Sequence, residues 1–403
     1  MPTLAWAALL VPATAAAQRL PAGPLEVANG TLTIGAEATV TAGSRDDTTF
    51  FDYTDYEHNS LRMIRVAFSG MWRPNAHVAF LAQIRSEDAD RVIADAYYAR
   101  VRPWTSRAFD LQVGRIPPVF GTFARRSYAT DNPLIGYPLA YQYLTSLRPD
   151  AIPSSADDLL AMRARGWMAS YPVGVADAAP GVPLVSAYRW DTGGEASWSS
   201  AHFDAAGAVT LGTLSTPQIA NDNGGLQYSS RVAWKPATAL VIGASVARGE
   251  FLSRALEDRY APVLGRHSYP QEAIGLDAEY SKGYWIVRGE AIGSRWTIPA
   301  LGIPIIAGPL GAASGYVETS YQFTPRWFAA ARVDTLTFSK VQGQRLFGGQ
   351  PTTWDAPVSR IESGGGFYIQ RNMTLRAVVQ SNWRDGGRAR QATFLSAQLS
   401  YWF

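Results

Sequence analysis

The run Thr393-Phe394-Leu395-Ser396-Ala397-Gln398-Leu399-Ser400-Tyr401-Trp402-Phe403 alternates strictly. Leu395, Ala397, Leu399, Tyr401 and Phe403 share one parity, and Ser396, Gln398 and Ser400 fall between them. Successive side chains of a β-strand point to opposite faces, so this stretch reads as a strand with one face on lipid and the other on water. In an open sheet such a strand presents a bare row of N–H and C=O groups; in a closed barrel the first strand covers the last.

The same alternation recurs upstream. In 225–235, Leu226, Tyr228, Val232 and Trp234 alternate with Gln227, Ser229 and Arg231, and in 271–281, Ile274, Leu276 and Tyr280 alternate with Gly275, Asp277 and Glu279. Short turn-like connections, such as Arg73-Pro74-Asn75 and Thr324-Pro325-Arg326, are interleaved with long ones near 43–59, 117–187, 250–269, 297–311 and 339–359. Short turns on one side and long loops on the other is the pattern of an outer-membrane barrel, with the short turns facing the periplasm. Strands read at 30–42, 60–72, 76–85, 92–102, 107–116, 189–198, 202–214, 225–235, 238–249, 271–281, 284–296, 312–323, 326–338, 360–370, 373–384 and 392–403 predict an all-β transmembrane antiparallel barrel of about sixteen strands. Trp72, Trp104, Trp234, Trp285, Trp327, Tyr401 and Phe403 sit beside short turns or the C-terminus, as an interfacial girdle requires. Two irregularities stand out. Strand 92–102 has conflicting faces, which points to a bulge or to an exterior covered by protein at a subunit contact, and Arg115, Arg248 and Arg295 fall on the outward parity at the long-loop ends of their strands, where lipid phosphates are one partner and a shifted register is the alternative.

Composition agrees with this reading. Charged residues are 17% of the 403, against about 25% in soluble domains, while aromatics are 12%. No stretch of 18–403 approaches the ~20 apolar residues of a spanning helix. Residues 1–17 read as a signal peptide, with an apolar core and Ala15-Ala16-Ala17 before the expected mature start at Gln18. There is no cysteine, hence no disulfide framework or thiolate metal site. Of 36 basic residues only Lys235, Lys282 and Lys340 are lysines, and arginine offers anions a fixed two-pronged fork.

A sixteen-stranded barrel is too wide for side chains to fill, so a channel or a plug is expected. Residues 117–187 are by far the longest connection, and Phe120, Phe123, Tyr137, Tyr141 and Tyr143 give them material to pack. This third extracellular loop is expected to fold inward and set a constriction. Arg125 and Arg126 are its first candidates, because adjacent arginines on a packed loop do not both pair away easily, with Asp131 nearby. The wall candidates are Arg65, Arg85, Arg100, Arg102, Arg231, Arg288, Arg332 and Arg376 against Glu279, Glu290 and Glu318. Opposed clusters of this kind would create a transverse field.

Gly114-Arg115-Ile116-Pro117-Pro118-Val119-Phe120-Gly121 resembles the segment found at this place in porins of the phosphate-selective O/P type, and Leu399-Ser400-Tyr401-Trp402-Phe403 is similar to the assembly signal of outer-membrane barrels. The resemblance implies a homotrimer with an inward third loop, and recognition of Tyr401 and Phe403 by the barrel-insertion machinery. Members of that family owe phosphate preference to lysines and arginines, whereas this loop has no lysine. The histidines, His58, His77, His202 and His267, belong to no nucleophile motif, and no metal-ligand spacing, phosphate loop or dinucleotide fingerprint is present. The expectation is a non-enzymatic porin without cofactor or metal. It would pass small hydrophilic solutes, with a weak to moderate anion preference, in contact with outer-membrane lipid and lipopolysaccharide. The alternatives are a non-conducting barrel serving as adhesin or anchor, and a sugar channel lined by Tyr137, Tyr141 and Tyr143.

Overall fold

A computed structural model describes residues 21, 23–54, 58–187, 190–264, 268–299 and 301–403; the expected signal segment 1–17 and His267 lie outside them. Sixteen antiparallel strands run in chain order: β1 (Leu32–Gly43), β2 (Ile64–Trp72), β3 (Val78–Glu87), β4 (Arg91–Val101), β5 (Phe109–Ile116), β6 (Asp191–Ser199), β7 (Phe203–Thr210), β8 (Gln227–Ala237), β9 (Leu240–Glu250), β10 (Pro270–Lys282), β11 (Trp285–Trp296), β12 (Leu310–Gln322), β13 (Trp327–Phe338), β14 (Val358–Gln370), β15 (Met373–Arg384) and β16 (Gln391–Trp402). Each pairs with the next, and β1 pairs with β16 from Glu37↔Trp402 to Gly43↔Ser396, closing the barrel. Phe403 and Ala36 exchange two backbone hydrogen bonds of 3.0 Å each at the end of this seam. Beyond it, a short strand, Leu25–Val27, takes up the β1 edge that β16 leaves, pairing Leu25↔Ile34 through Val27↔Leu32.

The predicted parity is visible in the burial of each strand. On β10, Ile274 and Leu276 are 67% and 64% exposed, whereas Gly275 and Asp277 between them are buried. Exposed Val246, Val317, Val333, Val379 and Leu395 continue the apolar exterior around the wall. No helix among the described residues is long and apolar enough to cross a membrane; strands do the crossing. Aromatics gather at the short-turn end, where Trp72 stacks on Phe80 (5.4 Å) and Trp285 and Trp327 lie tilted against Tyr321 (4.6 Å) and Phe367 (4.7 Å).

The conflicting faces of 92–102 resolve into a bulge. Gln83 faces Ala96 and Ile84 faces Ala94, which leaves Asp95 as the extra residue. Asp95 and Ala96 then both turn inward and are buried, and the outward series resumes at Tyr97. Arg248 and Arg295 do face outward, where they share Glu272 at 3.0 and 2.7 Å. Arg115 differs from expectation: it is 2% exposed, with its guanidinium donating to the carbonyls of Trp190 and Ala94. The connection 88–90 is a tight hairpin, with positive φ at Asp88 and Ala89, on the side where most connections are long.

A charge placed mid-height on the apolar exterior costs about 2–4 kcal/mol. Leu276→Arg is therefore expected to lower barrel stability by that amount in urea refolding titrations, whereas Leu276→Val leaves it within error.

Candidate functional site

Residues 117–187 pack within the ring of strands. Phe120 packs on Gly275 of β10, and Phe123 meets Tyr137, Tyr141 and Tyr316 at 5.0–6.5 Å between rings. These residues share one buried apolar cluster with Phe51 and Leu61 of the connection 44–63, Leu252 of 251–269, Ile306 of 297–309 and Trp354 of 339–357. Trp354 stands edge-on to Trp296 (6.1 Å) and Phe338 (4.7 Å) and donates its indole N–H to the Gly311 carbonyl. Hydrophobic burial thus fills the long-loop half of the barrel with an aromatic plug. Tyr137, Tyr141 and Tyr143 are buried within it, so they do not line a path for sugars.

Inward-facing carboxylates hold the plug by its backbone. Glu362 of β14 accepts from the amides of Ile135 (3.1 Å) and Gly136 (2.8 Å), Glu290 of β11 from Thr122 (3.1 Å) and the Tyr141 hydroxyl (2.8 Å), and Glu37 of β1 from Ala129 (3.2 Å). Two glycines permit the approach. At Gly121, whose φ is +67°, a Cβ would stand 2.3 Å from a Glu290 oxygen; at Gly136 it would stand 2.5 Å from one of Glu362.

Several predicted pore arginines belong to this scaffold. Arg332 is fully buried among Glu318 (3.2 Å), Asp334 (3.0 Å) and Glu362 (2.7 Å), and donates to the Gly136 carbonyl (2.7 Å). Arg65 joins Glu87 (2.8 Å) and the Tyr137 hydroxyl (2.7 Å), and Arg85 joins Asp95 (3.1 Å). Arg65, Arg332 and Glu290 therefore fasten the plug, Arg85 and Glu318 pair with charges of the wall, and all five are buried. Removing one member of such a cluster leaves the others uncompensated, at about 3–5 kcal/mol. Arg332→Ala is expected to destabilise the barrel by roughly that amount in urea unfolding and to speed protease cleavage within 117–187.

The remaining candidates border two cavities at the short-turn end. The first, of about 540 Å³, is lined by Arg102, Arg125, Arg126 and Arg231 against Asp110, Asp204, Asp277 and Glu279. The second, of about 500 Å³, is lined by Arg126, Arg288 and Arg376 against Asp131 alone. Arg125 and Arg126, expected to resist pairing, both find carboxylates across the lumen: Glu195 of β6 at 3.3 Å and Glu279 of β10 at 2.8 Å. Arg288 shares Glu279 at 2.9 Å, Arg231 pairs with Asp277 at 2.5 Å and Arg102 with Asp110 at 2.6 Å. The charges are interleaved between neighbouring strands and do not form the opposed clusters anticipated. Of the arginines named as pore-lining, Arg100 and Arg376 show no carboxylate within 4.0 Å among the described residues. Glu195, Asp110, Asp204, Glu87 and Glu37 went unnamed at the outset, although inward parity in an arginine-rich lumen was a signal for each.

Asp52 ties the connection 44–63 to the wall, 3.2 Å from Arg360 and fully buried, with one carboxyl oxygen unpartnered. Burial lifts its pKa to about 6, and Arg360 only partly opposes that. The folded protein thus holds the proton more tightly than the unfolded chain. The resulting stabilisation is complete below the ordinary carboxyl value of 3.8 and is lost as the pH rises through about 6. Calorimetric melting is expected at a higher temperature at pH 5 than at pH 7, with a smaller difference in Asp52→Asn.

The sixteen-stranded closed ring, apolar outside and charged inside, is the architecture of an outer-membrane barrel. Solved structures of that class superimpose over nearly the whole chain. A trimeric form of OmpT, an outer membrane protein of Vibrio cholerae, aligns at TM-score 0.54 and 8% identity over 93% of this chain and 99% of its own. OmpF of Salmonella typhi, solved with daunomycin, aligns at TM-score 0.54 and 12% identity over 94% and 100%. OmpT lacking loop L8 aligns at TM-score 0.53 and 9% identity over 93% and 99%. No protein-family model and no curated protein sequence matches the chain, so the resemblance to O/P-type porins stands on its short motif alone.

Proposed function

We propose that this chain is an outer-membrane porin, a non-enzymatic passage for small hydrophilic solutes with a weak to moderate preference for anions. The carrying observation is the charge balance of the two cavities. The first sets four arginines against four carboxylates; the second sets three against Asp131 and the one Glu279 carboxylate that Arg126 and Arg288 share. In a confined aqueous space walled by low-dielectric protein, an excess of that kind raises the local anion concentration. Solutes move down their own gradient, without cofactor or nucleotide. A homotrimer in contact with lipid and lipopolysaccharide, inserted through a signal that includes Tyr401 and Phe403, fits the same reading.

Passage requires a water path beside the plug. Its backbone fastenings are hydrogen bonds to charged groups, each worth about 1.5–3 kcal/mol, and the aromatic core adds to them, so release of the plug is costly and the path on this reading runs past the two cavities. The continuity of the aromatic plug across the long connections favours a second reading, a non-conducting barrel acting as an anchor or adhesin through its long-loop surface.

Planar-bilayer recording in a KCl gradient separates the two. The porin reading expects discrete conductance steps with a zero-current potential of anion-selective sign. Arg126→Ala, which touches both cavities, should move that potential toward cation selectivity, and Arg125→Ala, confined to the balanced cavity, should move it less. A folded, heat-modifiable barrel that shows no steps would overturn the channel in favour of the anchor.

A further inference from the structure

We infer that the second cavity is a binding site for a small carboxylate carrying hydroxyl groups, with Arg376 as its anchor. The inference rests on the porin reading for its place on a solute's path, though binding itself does not require conduction.

Arg376 is unusual among the inward-facing arginines. It is 3% exposed, yet its hydrogen-bond partners are neutral: Nη1 donates to Oε1 of Gln398 at 2.8 Å and to Oγ of Ser400 at 3.3 Å. Nε is buried with no acceptor, and Nη2 has none among the described residues. Nε–H and Nη2–H lie along one edge of the guanidinium, and that edge matches the two oxygens of a carboxylate. A buried charge is ordinarily paired. This one is held in place by Gln398 and Ser400 on the wall of a cavity of about 500 Å³, with its two-pronged edge unused.

The surroundings add to the positive field. Arg126 and Arg288 line the same cavity and share the single carboxylate of Glu279 at 2.8 and 2.9 Å. Counting Asp131 and Glu279 as acids, three guanidiniums face two carboxylates, and the Glu37 carboxylate acts on Arg376 from beyond hydrogen-bond reach. The other lining groups speak to the body of the ligand. Thr130, Asn132, Ser281, Ser320 and Gln322 offer hydroxyl and amide partners. Phe328 and Tyr368, 5.4 Å apart, present ring surface that suits the C–H face of a polyhydroxylated chain or ring. A bare oxyanion such as phosphate could engage the guanidinium edge but would leave those groups to water.

Isothermal titration of sodium gluconate into the folded, full-length barrel in detergent tests this, with glucose and inorganic phosphate as the comparison probes. Saturable gluconate binding is expected, about tenfold or more tighter than phosphate, with no heat from glucose. Arg376→Gln should weaken gluconate binding by at least about tenfold while the barrel keeps its heat-modifiable mobility. Where that variant does not fold, Ser320→Trp, which fills the cavity without altering the Arg376 contacts, should abolish binding. Absence of gluconate binding, equal affinity for phosphate, or unchanged affinity in a folded variant overturns the assignment. Binding without conductance steps would sink the channel but spare the site; steps without binding would do the reverse.

Discussion

Pairing of β1 with β16 is the constraint on which everything else depends. Hydrocarbon offers no hydrogen-bond partner, so every backbone N–H and C=O in the wall must be satisfied by a neighbouring strand, and only a closed ring achieves that. The seam from Glu37↔Trp402 to Gly43↔Ser396 completes the ring, and the short strand Leu25–Val27 covers the remainder of the β1 edge. Once the ring is closed, the period-2 alternation has one consequence for all sixteen strands. One parity meets lipid and the other meets the lumen.

Closure also creates the interior problem that residues 117–187 solve. A ring of this size cannot be filled from its walls, and the plug supplies apolar bulk through Phe120, Phe123, Tyr141 and their neighbours. Filling the lumen buries wall charges, and buried charges demand partners. The result is a division of labour among the arginines. Arg65, Arg85 and Arg332 lie against the plug and are paired inside dense carboxylate clusters. Arg102, Arg231 and Arg288 lie nearer the short turns and pair along the wall beside open cavities. Height along the strand relative to the plug separates scaffold from candidate pore lining.

Much of the wall was legible in the sequence because its determinants are local. Leu276 and Asp277 declare opposite faces by adjacency, and Trp285 marks the interface by its place beside a short turn. The strand count followed from the alternation of turn lengths. Element ends were less legible: the second strand begins at Ile64 and not near residue 60, since Leu61 is drawn into the plug core with Phe51. The bulge at Asp95 was signalled by conflicting parity, but which residue bulges depends on pairing with Gln83 and Ile84 of another strand.

The residue sequence by itself determined the barrel and the two faces of its wall, since each is a matter of periodicity and composition along one chain. Tertiary structure alone decided which charges meet. Arg126 reaches Glu279 across 153 positions and Arg332 reaches Glu362 across thirty, whereas Arg376 finds Gln398 and Ser400 but no carboxylate. Pairing of that kind depends on where a folded loop comes to rest against a curved wall, and no spacing rule within the sequence encodes the distance.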